Sequence, residues 1–304
     1  MPNQALVIGL TYPHNENGLQ SIPGMAPSST AMADLAMSSG HYDALEYLSD
    51  ADGDAVTRED ILGALYDMVS AAEPGDSLFF SYLGHGGSVQ QNREAGEMEV
   101  DGNDERIWAS DGPVYDDEIR AAIAQLPEGV NLTMVFDACH SGTMADLDTA
   151  DFDANITCLS SSADWELSWV NGDGSGSSFT DQLRAVMAEN PDLTLDQLKD
   201  ELTARLEPMG QTVQLTCSRP ELAGNSLFTP ATTIDHHDLH ASDMDVDPGS
   251  ISDTMLDGEI SLGEAAISAG EGELQLPMGH LHHDAWDWCR LRQCFGIWSS
   301  RVGT

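Results

Sequence analysis

Two short segments place a nucleophile and a base at the ends of apolar runs. The first reads Leu78-Phe79-Phe80-Ser81-Tyr82-Leu83-Gly84-His85-Gly86-Gly87. The second reads Leu132-Thr133-Met134-Val135-Phe136-Asp137-Ala138-Cys139-His140-Ser141-Gly142. A thiol attacks as its thiolate, so Cys139 needs a base, and an imidazole such as His85 can supply it. Gly84 and Gly86 beside His85, and Gly142 soon after Cys139, let a substrate backbone come close and free N–H groups for an oxyanion. His140 is adjacent to the cysteine, but neighbours at a strand end point apart. His85 is therefore the expected base for attack of Cys139 on a carbonyl.

The elements that must carry this pair follow from hydrophobic spacing. Strands are expected at Ala5–Leu10, Ala44–Leu48, Leu78–Leu83, Leu132–Phe136, Ile156–Leu159 and Val213–Cys217. Between them lie helical patterns at Ser28–Met37, after a Thr57 N-cap, at Asp116–Leu126, and twice between Ser178 and Leu206. Pro74-Gly75-Asp76 turns the chain into the Leu78 strand, and a Gly/Ser loop spans Asn171–Ser177. Alternating strands and helices predict an α/β fold, a mostly parallel central sheet flanked by helices. Sites in such sheets open at the carboxyl ends of strands. Both His85 and Cys139 fall there.

Composition narrows the partners. The chain has 304 residues, 41% of them hydrophobic, enough for a sizeable core. Its 52 acidic residues face 11 basic ones, a formal charge of −41, and Lys199 is the only lysine. Such a surface repels nucleic acid and anionic membranes and attracts basic peptides. Acid spread so evenly also suits high salt, where self-repulsion is screened. Met1-Pro2-Asn3-Gln4 has no basic leader, and no apolar stretch reaches the ~18 residues of a membrane span. Five scattered cysteines fit reduced thiols. A cytoplasmic location is the corresponding expectation.

The order of these motifs resembles the caspase-like cysteine peptidases and, among them, the metacaspases of the type I kind. The His-to-Cys interval is also close to the ~50 residues typical of caspases. The resemblance spans roughly residues 4–229, taking in Ala5–Gly9 with Tyr12-Pro13, Pro74–Phe80, Gly84-His85-Gly86, Asp101–Glu105, Asp116-Asp117-Glu118, Asp137–Thr143 and Ser178-Phe179-Thr180. It implies a caspase-hemoglobinase-like fold and a His85–Cys139 dyad. It also implies an oxyanion held by backbone N–H groups of Gly86 and Cys139, protein or peptide substrates, and a monomer.

The same resemblance implies an acidic pocket for Arg or Lys before the cut, and here the chain departs from it. Asp137 supplies one carboxylate. Leu83 stands where the family usually has Ser, and Met25 and Ser28 stand at its Cys and Asp positions. A greasier slot with one carboxylate predicts a relaxed or altered preference for basic residues. No Lys or Arg lies between Cys139 and Arg184, so self-cleavage after a basic residue there is unavailable and a single-chain enzyme is expected. Calcium is the implied activator, with Asp101, Asp104, Asp116, Asp117 and Asp146 as the matching carboxylates.

Other metal patterns carry less. Asp50-Ala51-Asp52-Gly53-Asp54 fails as an EF-hand, because Ala55 and Ile61 stand where Gly and Glu are required. Residues 1–230 read as the peptidase domain. Residues 231–304 read as an acidic, poorly ordered extension whose histidines match no standard zinc spacing. The rival from another class is a caspase-like binding or scaffold module without proteolysis.

Overall fold

A computed structural model describes residues 3–14, 18–90, 103–145, 147 and 152–228. Asp101, Asp146 and the expected extension from 231 onward lie outside the described residues. Six strands form the main sheet in the order β2-β1-β3-β7-β8-β9. They are β1 (Gln4–Gly9), β2 (Ala44–Ser49), β3 (Ser77–Leu83), β7 (Asn131–Asp137), β8 (Asn155–Ser160) and β9 (Gln214–Cys217). All neighbours run parallel except β8 and β9. Burial explains the order. Every residue of β3 is buried and it sits near the middle, whereas β2 is largely exposed and forms an edge.

Helices α1 (Met25–Ser38), α2 (Arg58–Ser70), α3 (Asp116–Ile123), α4 (Ser178–Glu189) and α5 (Leu195–Leu206) flank this sheet. α1 packs on β1 and β3 and against α4, which continues onto α5; α2 packs on β1 and against α3. Local sequence starts them cleanly. Thr57 and Asp60 form a reciprocal capping box on α2, and Thr194 and Gln197 do the same for α5. Phe79, Phe80, Tyr82, Phe136 and Phe179 fill the core, with Phe80 and Phe136 rings 5.6 Å apart. Phe228 still belongs to that core, lying 5.7 Å from Phe79. No helix among the described residues is long and apolar enough to cross a membrane.

One feature lay outside the sequence expectations. Beyond His85 the chain folds into a second, antiparallel sheet of β4 (Gly86–Gln90), β5 (Asn103–Trp108) and β6 (Pro113–Tyr115). β6 leads directly into α3. Glu105, the last residue of the acidic run Asp101–Glu105, is fully buried on β5.

Candidate active site

β3 and β7 are neighbours whose last paired residues are Leu83 and Asp137. His85 and Cys139 each stand two residues beyond, so both leave the sheet at the same level. The Gly84 N–H donates to the Asp137 carbonyl at 3.2 Å, extending the pairing past the strands. Gly86 then lies so close to the cysteine that a side chain there would overlap the Cys139 carbonyl oxygen. The Trp108 N–H donates to the His85 carbonyl at 3.1 Å. That bond makes Gly86 and Ile107 a non-hydrogen-bonded pair, which turns the Gly86 N–H out of the ladder.

His85 is buried, and its Nε2 lies 2.7 Å from the Gln20 carbonyl oxygen. A carbonyl only accepts, so Nε2 carries the proton. In the neutral ring Nδ1 then keeps the lone pair. Burial holds the imidazole below its ordinary 6.5, with the Gln20 bond pulling the other way. At neutral pH the ring is a neutral base of defined tautomer.

Cys139 is 4% exposed. Its Sγ receives the Ser168 N–H at 3.4 Å and lies 3.7 Å from the Ser168 carbonyl. The sulfur thus accepts from one main-chain group of Ser168 and, as a thiol, donates to the other. The adjacent His140 adopts a left-handed conformation with φ 54°. Its N–H donates to the Glu166 carbonyl at 3.0 Å and its Nδ1 bonds the Asp164 carbonyl. That ring is engaged with the loop after β8.

The four residues matched to a specificity pocket are gathered at this end of the sheet. Leu83 and Asp137 are register partners, and Met25 and Ser28 lie on the first turn of α1. All four are buried. The Asp137 carboxylate accepts from Ser168 at 3.0 Å and from Thr180 at 2.6 Å. Burial pushes its pKa up, while hydroxyls of Ser177, Thr180 and Ser168 pull it down. Ser28 joins the group because its Oγ accepts the Ser177 N–H at 2.7 Å. The sequence gives no site role to Gln20, Ser168, Ser177 or Thr180, although Thr180 stands in the Ser178-Phe179-Thr180 motif. Gln20 acts through its main chain, and the others are common residue types without a fixed spacing.

The acidic residues matched to calcium are partly in view. Asp116 caps the junction of β5 and α3, accepting the Glu105 N–H at 2.7 Å and the Asp117 N–H at 2.8 Å. Asp117 lies 3.9 Å from the Arg120 guanidinium. Asp104 is half-buried on β5. Among the described residues no three His, Cys, Asp or Glu side chains converge as a metal site would require.

Comparison with known proteins agrees with this geometry. Residues 3–148 match the metacaspase, peptidase C14 domain. Metacaspase-1 of Schizosaccharomyces pombe is 36% identical over 154 residues, 47% of this chain and 35% of that protein. Metacaspase-1 of Mycosarcoma maydis is 37% identical over 153 residues, again 47% of this chain and 37% of its own. The match thus spans about a third of each relative's length. A crystal structure of protein GSU0716 from Geobacter sulfurreducens shares the fold, with a TM-score of 0.62 and 23% identity. It covers 75% of this chain and 99% of that one. With its mostly parallel, helix-flanked sheet and with His85 and Cys139 inside the matched stretch, the chain is similar over residues 3–148 to the metacaspase peptidase domain.

Proposed function

We propose that the chain is a cysteine endopeptidase acting through His85 and Cys139. The observation that carries this reading is the pairing of β3 with β7, which brings both residues out at one level, with the His85 tautomer set by Gln20. Because burial disfavours the imidazolium, the resting ring is neutral. His85 takes the thiol proton as Sγ attacks the scissile carbonyl carbon, forming a C–S bond and an oxyanion. The Gly86 N–H, turned out of its ladder, and the Cys139 N–H receive that oxyanion. Collapse breaks the C–N bond, and His85 returns the proton to the leaving amine. Water, deprotonated by the same imidazole, then attacks the thioester, releasing the acid and restoring the thiol.

The residue before the cut enters a slot built from Asp137, Leu83, Met25 and Ser28. One carboxylate, already shared among hydroxyls, holds a guanidinium less firmly than the full acidic set would. The preference for Arg or Lys is therefore relaxed. The chain acts as a single-chain monomer on protein or peptide substrates in the cytoplasm. Calcium enters as an activator rather than in a bond-making step, and of its five candidate carboxylates Asp101 and Asp146 lie outside the described residues. A positional-scanning peptide library, cut by wild type but not by Cys139→Ala, tests the activity. Parallel runs with calcium and with chelator test the ion. A folded wild type that cuts nothing under any of these conditions would leave only a binding role.

A further inference from the structure

We propose that Tyr12 and Asp50 are positioning residues of His85, and that they hold its ring in the one orientation that presents Nδ1 to Cys139. The inference rests on the reading of His85 as the base and adds the device that holds it. Tyr12 is buried, and its ring lies 4.6 Å from the imidazole. Its hydroxyl oxygen accepts the His85 N–H at 3.0 Å and donates to the Trp108 carbonyl at 2.8 Å. Tyr82 repeats the pattern in reverse. Its hydroxyl accepts the Trp108 N–H at 3.2 Å and has two carbonyls in reach of its proton, His85 at 2.9 Å and Trp108 at 2.8 Å. The two oxygens are 2.7 Å apart.

Together the two phenol oxygens lie within hydrogen-bond distance of both main-chain groups of His85 and both of Trp108. Burial raises both phenol pKa values well above the ordinary 10, so both remain donors. Gly84 must be glycine for the same reason: a Cβ there would sit 2.5 Å from the Tyr82 oxygen and 2.7 Å from that of Tyr12. The clamp fills the space under the histidine.

Tyr12 reaches this place only through a left-handed backbone, φ 52°, which an aromatic residue adopts at a cost. Asp50 supports that turn. Its buried carboxylate accepts the Thr11 N–H at 2.6 Å, the Thr11 hydroxyl at 2.8 Å and the Tyr12 N–H at 2.8 Å. The same short segment that places Tyr12 runs on to Gln20, whose carbonyl bonds His85 Nε2. Ring face, ring nitrogen and main chain of the histidine are thus fixed from three sides.

The test is nitrogen-15 spectroscopy of the histidine rings in the full chain above pH 6.5. The His85 signals are assigned by their loss in His85→Gln. Cleavage kinetics are measured beside it. Wild type gives one tautomer, protonated at Nε2. Tyr12→Leu mixes the two tautomers and lowers kcat roughly 100-fold, with KM within about twofold. Tyr12→Phe, which keeps the ring and loses the hydroxyl, shows the same change at roughly 10-fold, as does Asp50→Asn. If Tyr12→Leu does not fold, the isosteric Tyr12→Phe decides. Folded variants with the wild-type tautomer and kcat would overturn the proposal. A tautomer shift in variants of a chain that cleaves nothing would support the clamp and overturn only the peptidase reading.

Discussion

His85 and Cys139 leave one sheet at one level, yet their surroundings differ in kind. Behind the histidine stand aromatic rings and phenols, with Tyr12, Tyr82 and Trp108 locking its main chain and face. Behind the cysteine stands a cradle of hydroxyls and one carboxylate. The Ser161 and Ser162 hydroxyls bond the Ala138 main chain, the Ser168 main chain meets the sulfur, and the Ser168 and Thr180 hydroxyls meet Asp137. The difference matches the two proposed tasks. A base that gives and takes a proton twice per cycle gains from one fixed orientation. A nucleophile that turns from thiol to thioester, beside a slot for a charged side chain, needs polar groups that can answer changing charge.

Removing either half tests the comparison most severely. Cys139→Ala should lower cleavage by at least about 10⁴-fold, since no other nucleophile replaces it. His85→Ala should cost on the order of 10²–10⁴-fold, the usual worth of a positioned base. Equal binding of an uncleaved peptide by wild type and variants would show that the loss lies in chemistry, not folding.

The contact between the halves comes next. Gly86→Ala sets a Cβ against the Cys139 carbonyl, backbone that cannot swing away. It should destabilise the fold by about 1–3 kcal/mol, as overpacking does, and reduce cleavage as well. Gly87→Ala is the control, because its nearest neighbours are side-chain atoms of Arg106 and Trp108 at 3.6 and 3.8 Å. Its cost should stay within about 0.5 kcal/mol. Thermal unfolding of both variants reads the difference, and equal losses would remove the special closeness of Gly86.

Much of this arrangement was legible in the sequence, and the exceptions share physical causes. The six strands of the main sheet announced themselves as apolar runs, and Thr57 announced α2 through its capping chemistry. The β4–β6 sheet did not. Gly86-Gly87-Ser88-Val89-Gln90 has no apolar alternation, and Asn103–Trp108 looks like an acidic surface until pairing buries Glu105 and Ile107. The proposed dyad stood out because each member follows an apolar run with glycine near it, Gly84 and Gly86 beside His85 and Gly142 three residues after Cys139. Gln20 could not stand out, since it works through a carbonyl that any residue possesses. Tyr12 was visible only as part of a motif, because its role depends on a left-handed turn set by Asp50, distant in sequence.

The cysteine side yields a subtler prediction. Leu83→Ser together with Ser28→Asp should restore polar lining around Asp137. Preference for Arg over Leu before the cut should rise about 10-fold, roughly 1.4 kcal/mol. A library profile unchanged by both substitutions would take these residues out of the slot.

The histidine side yields the smallest effect, in pH. Because the folded pKa of His85 lies below 6.5, the unfolded chain takes up this proton first as pH falls. Its contribution to stability is complete above pH 6.5 and declines as pH drops from 6.5 toward the folded value. His85→Gln should remove that part of the slope, measured by denaturant unfolding between pH 7 and pH 5. The acid limb of Cys139 alkylation should likewise have its midpoint below 6.5 and vanish in the variant.

The central claim is that Cys139 is a nucleophile activated by His85, and reaction with an electrophilic peptide tests it most directly. Mass spectrometry of the full chain should show one adduct, on Cys139, formed at least about 100-fold more slowly in His85→Ala. Adducts spread over Cys158 and Cys217 as readily as Cys139, or a Cys139 rate indifferent to His85, would contradict it.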